Sequence, residues 1–315
     1  MRRRWRSPEQ ELRVHPTIVM GILNKLLGIP PVGSEHGHML DHMLEVVHWF
    51  MLFLGVGWGI FIAYALYRFR QKNNPKASYT GVTGNASSHI EIGVIVTEVI
   101  LLLGFAFPLW ATRVDEFPDP DVRVNAFAEQ FKWSFQYPGA DGKFGMTNRF
   151  LMSSANPIGI DPEDPNGLDD IVVPELFLPK AKKIEIAVTS KDVIHNLALV
   201  GMRIAQDADP GKVSRMWFVP TAIGDSEIIC GQLCGAAHGN MKSLLHVVDQ
   251  KSYEGWAKDA PKFKDSPFGA EAAKKLGLAP AAAAPAAATP PVAPAPAAAE
   301  VPAATPAPAP AAEVR

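Results

Sequence analysis

The stretch Glu227-Ile-Ile-Cys-Gly-Gln-Leu-Cys-Gly-Ala-Ala-His-Gly-Asn-Met241 is the part of the chain around which the rest is organised. It contains the only two cysteines among 315 residues, Cys230 and Cys234. With His238 and Met241 they form the pattern Cys-x3-Cys-x3-His-x2-Met. Two thiolates, an imidazole and a thioether are soft to borderline ligands, and such a set suits copper. The spacing therefore predicts a metal site.

Other interpretations of this stretch explain fewer of its residues. Zinc fingers usually repeat the cysteine pair, and the chain has no second pair. A disulfide between Cys230 and Cys234 would leave His238 and Met241 without a role. Each residue taken singly is more often structural, but the joint spacing favours a metal. Two thiolates can bridge two copper ions, and each ion then needs an imidazole, so a second histidine is required.

The second histidine is found in the turn Asp192-Val-Ile-His195, which follows a predicted strand 35 residues before Cys230. On its own, His195 would be interpreted as a surface histidine. A histidine at a strand end that meets a distant loop is, however, how β-sandwich copper proteins build their sites. We therefore add His195 to the predicted ligands.

The N-terminal half predicts a membrane hairpin over residues 46–113. Val46–Tyr67 holds 22 residues without a charged side chain, and Ile92–Thr112 holds 21 with Glu98 as the one charge. Each stretch is long enough to cross a bilayer, so we expect helices at about 46–67 and 91–112. The basic loop between them predicts a cytoplasmic loop with both outer ends on the other side, although the arginine-rich N-terminus argues for the reverse.

Residues 1–45 predict an extramembrane or interfacial segment, since no clear signal-peptide pattern is present. Four histidines lie near the end of this segment, and we interpret them as solvated: His36, His38, His42 and His48. Glu91 and Glu98 lie on nearly the same face of the second predicted helix. Because a carboxyl group is costly in hydrocarbon, we expect both to face a partner subunit.

Residues 114–260 predict a soluble all-β domain, a sandwich closed on itself. Alternating and β-branched segments predict strands at Asp121–Phe127, Phe131–Tyr137, Lys183–Val188 and Ser243–Val248. Pro138–Pro174 is rich in Gly, Pro, Asn and Asp, which predicts an inserted loop. Its acids either are solvated or attract a basic electron donor: Asp161, Glu163, Asp164, Asp169, Asp170 and Glu175.

Residues 261–315 are expected to add nothing to the core, and the Ala/Pro-rich part from 279 predicts a disordered tail. The net charge of −2 is too small to indicate nucleic-acid binding. No Cys-x2-Cys-His motif is present, so no fused cytochrome c domain is expected.

Over residues 45–258 these features resemble cytochrome c oxidase subunit II, the subunit with the binuclear copper A centre. The resemblance implies an α+β membrane protein, with a two-helix transmembrane hairpin followed by an all-β cupredoxin-like Greek-key domain. It implies that one copper is held by His195, Met241 and both thiolates. The other is held by His238, the backbone carbonyl of Gln232 and the same thiolates.

The resemblance also implies a function and partners. Electrons would come from cytochrome c or a similar periplasmic donor and pass to haem in subunit I, where oxygen is reduced to water. The chain would be one subunit of this proton-translocating oxidoreductase, assembled with subunits I and III and with membrane lipid. It would be a multi-pass protein of the bacterial inner membrane with copper on the periplasmic side.

Three departures from the family pattern affect the expected roles. Gln232 stands where the family often has a magnesium-binding Glu, which makes a magnesium ion uncertain. Phe131 stands where a Trp usually receives the electron, so we expect Phe131 and Trp133 to share that role. Glu91 matches an acid at the mouth of a proton channel, whereas Glu98 replaces a proline.

Two alternative functions remain open at the level of sequence. A copper A nitric oxide reductase would share every motif quoted above. A membrane-anchored copper chaperone can also use Cys-x3-Cys with a histidine, but it needs an exposed and exchangeable site. A quinol oxidase subunit would be expected to lack the cysteines.

Overall fold

The computed structural model describes residues 25–76, 79–81, 84–114 and 117–277. Most of the predicted N-terminal segment and the whole Ala/Pro-rich tail lie outside these residues. The described chain consists of two long helices followed by ten β-strands and two short C-terminal helices.

The two long helices have the length and apolar composition needed to cross a membrane. Helix α1 spans Gly37–Arg68. The second continuous helix consists of α2 (Ala86–Leu101), a π-helical segment (Leu102–Ala106) and α3 (Phe107–Val114). The π-helical segment lies just before Pro108, whose missing N–H cannot bond to the carbonyl four residues earlier.

Helix α1 begins nine residues before the predicted start at residue 46. The extra turns carry charged residues, which is why an apolar pattern does not find them. Asp41 accepts a hydrogen bond from Nε of Arg203 in the β domain at 2.7 Å, and Glu45 is buried. The helix therefore begins before the apolar stretch, in a part that contacts the β domain.

The β domain is formed by two five-stranded sheets. The strand order is β3-β2-β1-β5-β8 in the first and β4-β10-β9-β6-β7 in the second. The pairs β1–β5 and β4–β10 are parallel, and the other pairs are antiparallel. The strands are β1 Val122–Glu129, β2 Lys132–Tyr137, β3 Ile171–Val173, β4 Leu176–Pro179, β5 Ile184–Ser190, β6 His195–Leu199, β7 Ile204–Ala208, β8 Ser214–Phe218, β9 Gly224–Cys230 and β10 Lys242–Val248.

The main core lies between the inner faces of the sheets. Residues of β5 and β6 alternate between buried and partly buried, as expected when one face of a strand meets the core. Strand β2 contributes three large and nearly inaccessible side chains, Trp133, Phe135 and Tyr137. The predicted sandwich is confirmed, and the four predicted strands agree with the observed ones to within two residues.

A second hydrophobic cluster joins the inserted segment to the C-terminal residues. Ile158, Ile160 and Leu168 pack with Phe263 and with two alanines of helix α5 (Pro267–Lys275), which follows helix α4 (Gln250–Asp259). The expectation that core-forming residues end near Pro261 is therefore wrong. The two segments are separately too poor in apolar residues to predict a core, and each supplies what the other lacks.

The inserted segment turns acids inward, which corrects the interpretation of its charge as a uniform surface feature. Asp164 and Asp170 are buried, and they accept hydrogen bonds from the backbone N–H groups of Met146 (2.7 Å) and Gly145 (2.9 Å). Asp169 accepts from Ala140 N at 2.6 Å. Three of the acids considered for donor docking therefore bind this segment's own backbone.

Burial raises the pKa of Asp170 to about 7. The hydrogen bonds from Gly145 and Gln136 oppose this rise, and the neighbouring Asp169 adds to it. Its second oxygen, Oδ1, is buried and accepts no hydrogen bond within the described chain. A proton on this carboxyl group therefore relieves an unfavourable buried charge.

Candidate metal centre

The predicted ligands come together at one end of the second sheet. His195 is the first residue of β6 and Cys230 the last of β9, and these two strands are paired with Leu197 opposite Cys230. Met241 directly precedes β10, which pairs with β9 on its other side. A bond from Cys230 N to Met241 O at 3.2 Å closes the loop between them. Three adjacent strands thus fix the ends of the ligand loop.

The ligand atoms face one another across short gaps. The two sulfur atoms lie 3.9 Å apart. Cys230 Sγ is 3.8 Å from His195 Nδ1, and Cys234 Sγ is 3.5 Å from His238 Nδ1. Met241 Sδ lies 3.8 Å from Cys234 Sγ, and the Gln232 carbonyl oxygen lies 3.2 Å from Cys230 Sγ. All six predicted ligands are therefore brought to one place.

This donor set fits a metal and excludes a disulfide in this state. Both cysteines are free, and their sulfur separation is far above the length of about 2.05 Å of an S–S bond. Metal–thiolate bonds of about 2.3 Å can span up to about 4.6 Å between two sulfur atoms, so one ion can contact both. Among the described residues, the one group of three or more metal-ligating His, Cys, Asp or Glu side chains is His195, Cys230 and Cys234.

The imidazole of His195 is oriented by Asp192. The ring is fully buried, and its Nε2–H donates to Asp192 Oδ1 at 2.9 Å. This bond leaves Nδ1 unprotonated toward the thiol of Cys230, as a metal ligand requires. Burial acts to raise the pKa of Asp192, but hydrogen bonds from Gln130 N, His195 and Val193 N outweigh it and lower the pKa.

The cysteines are shielded while their loop remains accessible. Cys230, Cys234 and Met241 are buried, whereas the intervening Leu233 is 81 % exposed. Burial, together with the neighbouring Cys230, raises the pKa of the Cys234 thiol to about 11. Without a metal this thiol is therefore protonated at neutral pH, and metal binding must release the proton.

The two aromatic residues predicted for electron transfer both lie against ligand-bearing segments. Trp133 is buried and contacts the His195 ring edge-on, with ring centroids 6.2 Å apart. The ring of Phe131 packs on Gly235, where an added Cβ would lie 3.2 Å from the ring. Trp133 therefore approaches the centre from the core, and Phe131 approaches it from the loop side.

Glu91 does not belong to this centre. It lies on helix α2, and its side chain is exposed in this chain. The side chain of Gln232 is also exposed, although its backbone carbonyl faces Cys230. The structure thus groups the predicted metal ligands and leaves the predicted proton-entry carboxylate on a separate element.

Sequence reasoning missed the supporting residues of the centre. Asp192 was considered only as part of the turn that ends at His195, and no role was predicted for Gln130. Gln130 contacts partners 62 and 104 residues away in sequence. No local spacing rule covers such separations, so the sequence carried no signal for these contacts.

Residues 122–248 match the family model described as "Cytochrome C oxidase subunit II, periplasmic domain". The alternative cytochrome c oxidase subunit 2 of Bradyrhizobium diazoefficiens is 29 % identical over 235 residues, covering 74 % of this chain and 84 % of that protein. Cytochrome c oxidase subunit 2 of Cereibacter sphaeroides is 26 % identical over 261 residues, covering 75 % and 83 %.

A solved structure is also similar to this chain. It is the periplasmic domain of subunit II of cytochrome oxidase (CoxB) of Bradyrhizobium japonicum, at 29 % identity and a TM-score of 0.35. The match covers 46 % of this chain and 96 % of that one.

Proposed function

We propose that this chain receives electrons from cytochrome c or a similar donor and passes them to haem in subunit I. The chain belongs to the cytochrome c oxidase subunit II family, whose members are subunits of an oxidoreductase. The observation that carries this proposal is the convergence of two thiols, two imidazoles and a thioether, with neighbouring ligand atoms 3.5 to 3.9 Å apart. A site for storage or exchange of a metal does not need this many ligands from three strands.

The proposed ligand sets share both cysteines. His195 and Met241 would complete one copper position, and His238 and the backbone carbonyl of Gln232 would complete the other. When bound, the copper pair supplies a site that gains and loses one electron. The strands β6, β9 and β10 hold the ligands in one arrangement, so little movement accompanies either change of charge. Small movement favours rapid electron transfer.

The aromatic contacts suggest how electrons reach the centre. Phe131 lies against Gly235 beside Cys234, and it is partly exposed. We assign Phe131 to the side of the donor and Trp133, buried against His195, to the inner side of the centre. The exposed Leu233 and Ile194 provide apolar surface beside these residues.

The two apolar helices are proposed to anchor the domain in the bacterial inner membrane, with the copper domain in the periplasm. The basic residues at the end of α1 and just after it then lie in the cytoplasm, in agreement with the charge bias of membrane proteins: Arg68, Arg70, Lys72 and Lys76. Many apolar side chains on both helices are exposed in the single chain. We propose that lipid and subunits I and III cover them.

Electron paramagnetic resonance of the purified complex tests the copper assignment. Two coppers that share one unpaired electron give a seven-line hyperfine pattern, with two coppers per chain. A four-line pattern with one copper per chain would contradict the binuclear centre. Turnover of the same complex with oxygen and with nitric oxide decides between an oxidase and a nitric oxide reductase.

We further propose that Glu91 collects protons at the cytoplasmic end of helix α2. An acid at a membrane interface can exchange protons with water and pass them to a neighbouring channel. Glu91→Gln should slow steady-state oxygen reduction while reduction of copper by the donor stays unchanged. Glu98→Gln, seven residues further along the same helix, is the control. Wild-type turnover of Glu91→Gln at every pH would show that Glu91 is structural.

A further inference from the structure

We infer that Gln130 is a positioning residue that holds the cysteine loop and the histidine turn of the metal centre at a fixed separation. The inference rests on the proposed function, because it concerns the copper centre proposed above. Gln130 lies in the tight connection between β1 and β2, which belong to the first sheet. The ligands come from β6, from the end of β9 and from the loop that joins β9 to β10, and these strands belong to the second sheet. Gln130 therefore acts on the centre from the opposite sheet.

The side chain of Gln130 binds the cysteine loop. Its Nε2 donates to the carbonyl oxygen of Cys234 at 2.6 Å, a short hydrogen bond. The next residue, Gly235, has a φ of +138°, and a Cβ there would lie 2.7 Å from the same Nε2. The amide thus reaches the loop because residue 235 has no side chain, and the contact leaves no gap.

The backbone of Gln130 binds the histidine turn. Its N–H donates to Asp192 Oδ2 at 2.8 Å, while Asp192 Oδ1 accepts from His195 Nε2 at 2.9 Å. One carboxylate therefore connects Gln130 to the imidazole. Together with the side-chain bond, Gln130 forms a continuous chain of hydrogen bonds from the Cys234 carbonyl to the His195 ring.

The middle of the cysteine loop depends on this support. The ends of the loop are fixed by bonds from Cys230 N to Met241 O and from Gly231 N to Asn196 O. Residues 232–237 form the middle of the loop. Within the part of the chain that the structure describes, the Cys234 carbonyl is their one backbone group with a hydrogen-bond partner outside residues 230–241. Loss of the Gln130 amide would free the segment that carries the second bridging thiol.

The test uses the full-length chain in detergent, loaded with copper. Gln130→Met keeps the length of the side chain but removes the donor, and Gln130→Asn keeps the amide but shortens its reach. Both variants retain the backbone bond to Asp192. Gln250→Met is the matched control, because Gln250 is an exposed glutamine that bonds to Glu254 within its own helix.

We expect both Gln130 variants to release copper to a chelator about tenfold faster, the size typical for loss of a group that orients a metal ligand. Their copper hyperfine pattern should change, while thermal unfolding of the copper-free protein should match wild type. A role in general stability would instead shift unfolding and leave the spectrum of the remaining centre unchanged. Should one variant fail to fold, the other decides the outcome.

Two results would overturn the inference, and they differ from each other. If both Gln130 variants release copper at the rate of wild type and Gln250→Met, and show the same spectrum, the positioning role alone is overturned. Absence of a copper signal in the wild-type chain would overturn the proposed function, and this inference with it.

Discussion

The ligand loop and the inserted segment both bury polar side chains, but they satisfy them in different ways. In the inserted segment (residues 138–174), the buried carboxylates of Asp164 and Asp170 accept hydrogen bonds of 2.7 and 2.9 Å from the backbone N–H groups of Met146 and Gly145. In the ligand loop (residues 230–241), two thiols, the imidazole of His238 and a thioether face one another and the imidazole of His195, with neighbouring ligand atoms 3.5 to 3.9 Å apart. The first arrangement is closed and supports the fold. The second leaves donor atoms directed at a common point, which is what a metal requires.

The comparison shows why composition misleads for both regions. Six acids in and next to one loop predict a charged surface, yet Asp164 and Asp170 are buried and accept hydrogen bonds from backbone N–H groups. Two cysteines and a histidine are each ordinary residues, yet their convergence is specific. The direction of a polar side chain and the distance to its neighbour decide its role.

The largest expected effect is loss of a bridging thiol. Cys230→Ser or Cys234→Ser removes a ligand shared by both proposed copper positions and should abolish the binuclear centre. Met241→Leu removes a thioether, a weaker ligand, so copper should largely remain with an altered reduction potential. Copper content and electron paramagnetic resonance measure both effects. Retention of copper in Cys230→Ser together with its loss in Met241→Leu would reverse these roles.

The inserted segment should respond to pH through Asp170. In the unfolded chain Asp170 loses its proton near the ordinary pKa of 3.8, whereas in the folded protein it keeps the proton up to a pH of about 7. The free energy of unfolding therefore falls as the pH rises from about 4 to about 7.

Asp170→Asn removes this titration and preserves an acceptor for Gln136 and Gly145. The difference in free energy of unfolding between the variant and wild type should shift in favour of the variant by about 2 kcal/mol as the pH rises from about 4 to about 8. Denaturant unfolding at several pH values measures the difference, with the exposed Asp119→Asn as control. Parallel pH profiles for wild type and Asp170→Asn would show that Asp170 ionises normally.

A smaller effect is expected where the two regions are connected. Lys191 precedes Asp192, and its Nζ contacts Glu129 Oε2 at 2.5 Å and the Pro157 carbonyl of the inserted segment at 2.7 Å. Lys191→Met should lower the free energy of unfolding by about 1.5 kcal/mol, the lower end of the range for hydrogen bonds to charged groups. Lys132→Met, whose exposed ammonium contacts the same Glu129, should have little effect. Equal losses in both variants would remove the special role of Lys191.

The smallest effect concerns docking of a donor by charge. Glu163 and Asp141 are exposed acids of the inserted segment, in contrast to the buried Asp164 and Asp170. Neutralising both with Gln and Asn should slow oxidation of a basic donor by about twofold at low salt and leave the rate unchanged at high salt. Stopped-flow measurements at two ionic strengths test this. Unchanged rates at low salt would remove the inserted segment from the docking surface.

Elements determined by local patterns could be predicted closely. Period-two alternation predicted four strands to within two residues, and apolar length predicted two helices that are long enough to cross a membrane. The start of α1 at Gly37 could not be predicted, because the charged residues of its first turns hide it, and Asp41 among them is bound by Arg203 of the β domain. The second cluster was missed for a similar reason, since its two halves lie about a hundred residues apart in sequence and neither is apolar enough alone.

The sequence by itself determined which residues can bind a metal, because ligand chemistry belongs to the side chain and the spacing of residues 230–241 places four such groups on one short loop. It also determined the sandwich, because alternation is a property of consecutive residues. The tertiary structure decided how close His195 comes to this loop, because β6 pairs with β9, and it alone decided that Gln130 connects the histidine turn to the loop. Gln130 reaches these segments from the other sheet, and contacts between distant segments depend on how the whole core packs.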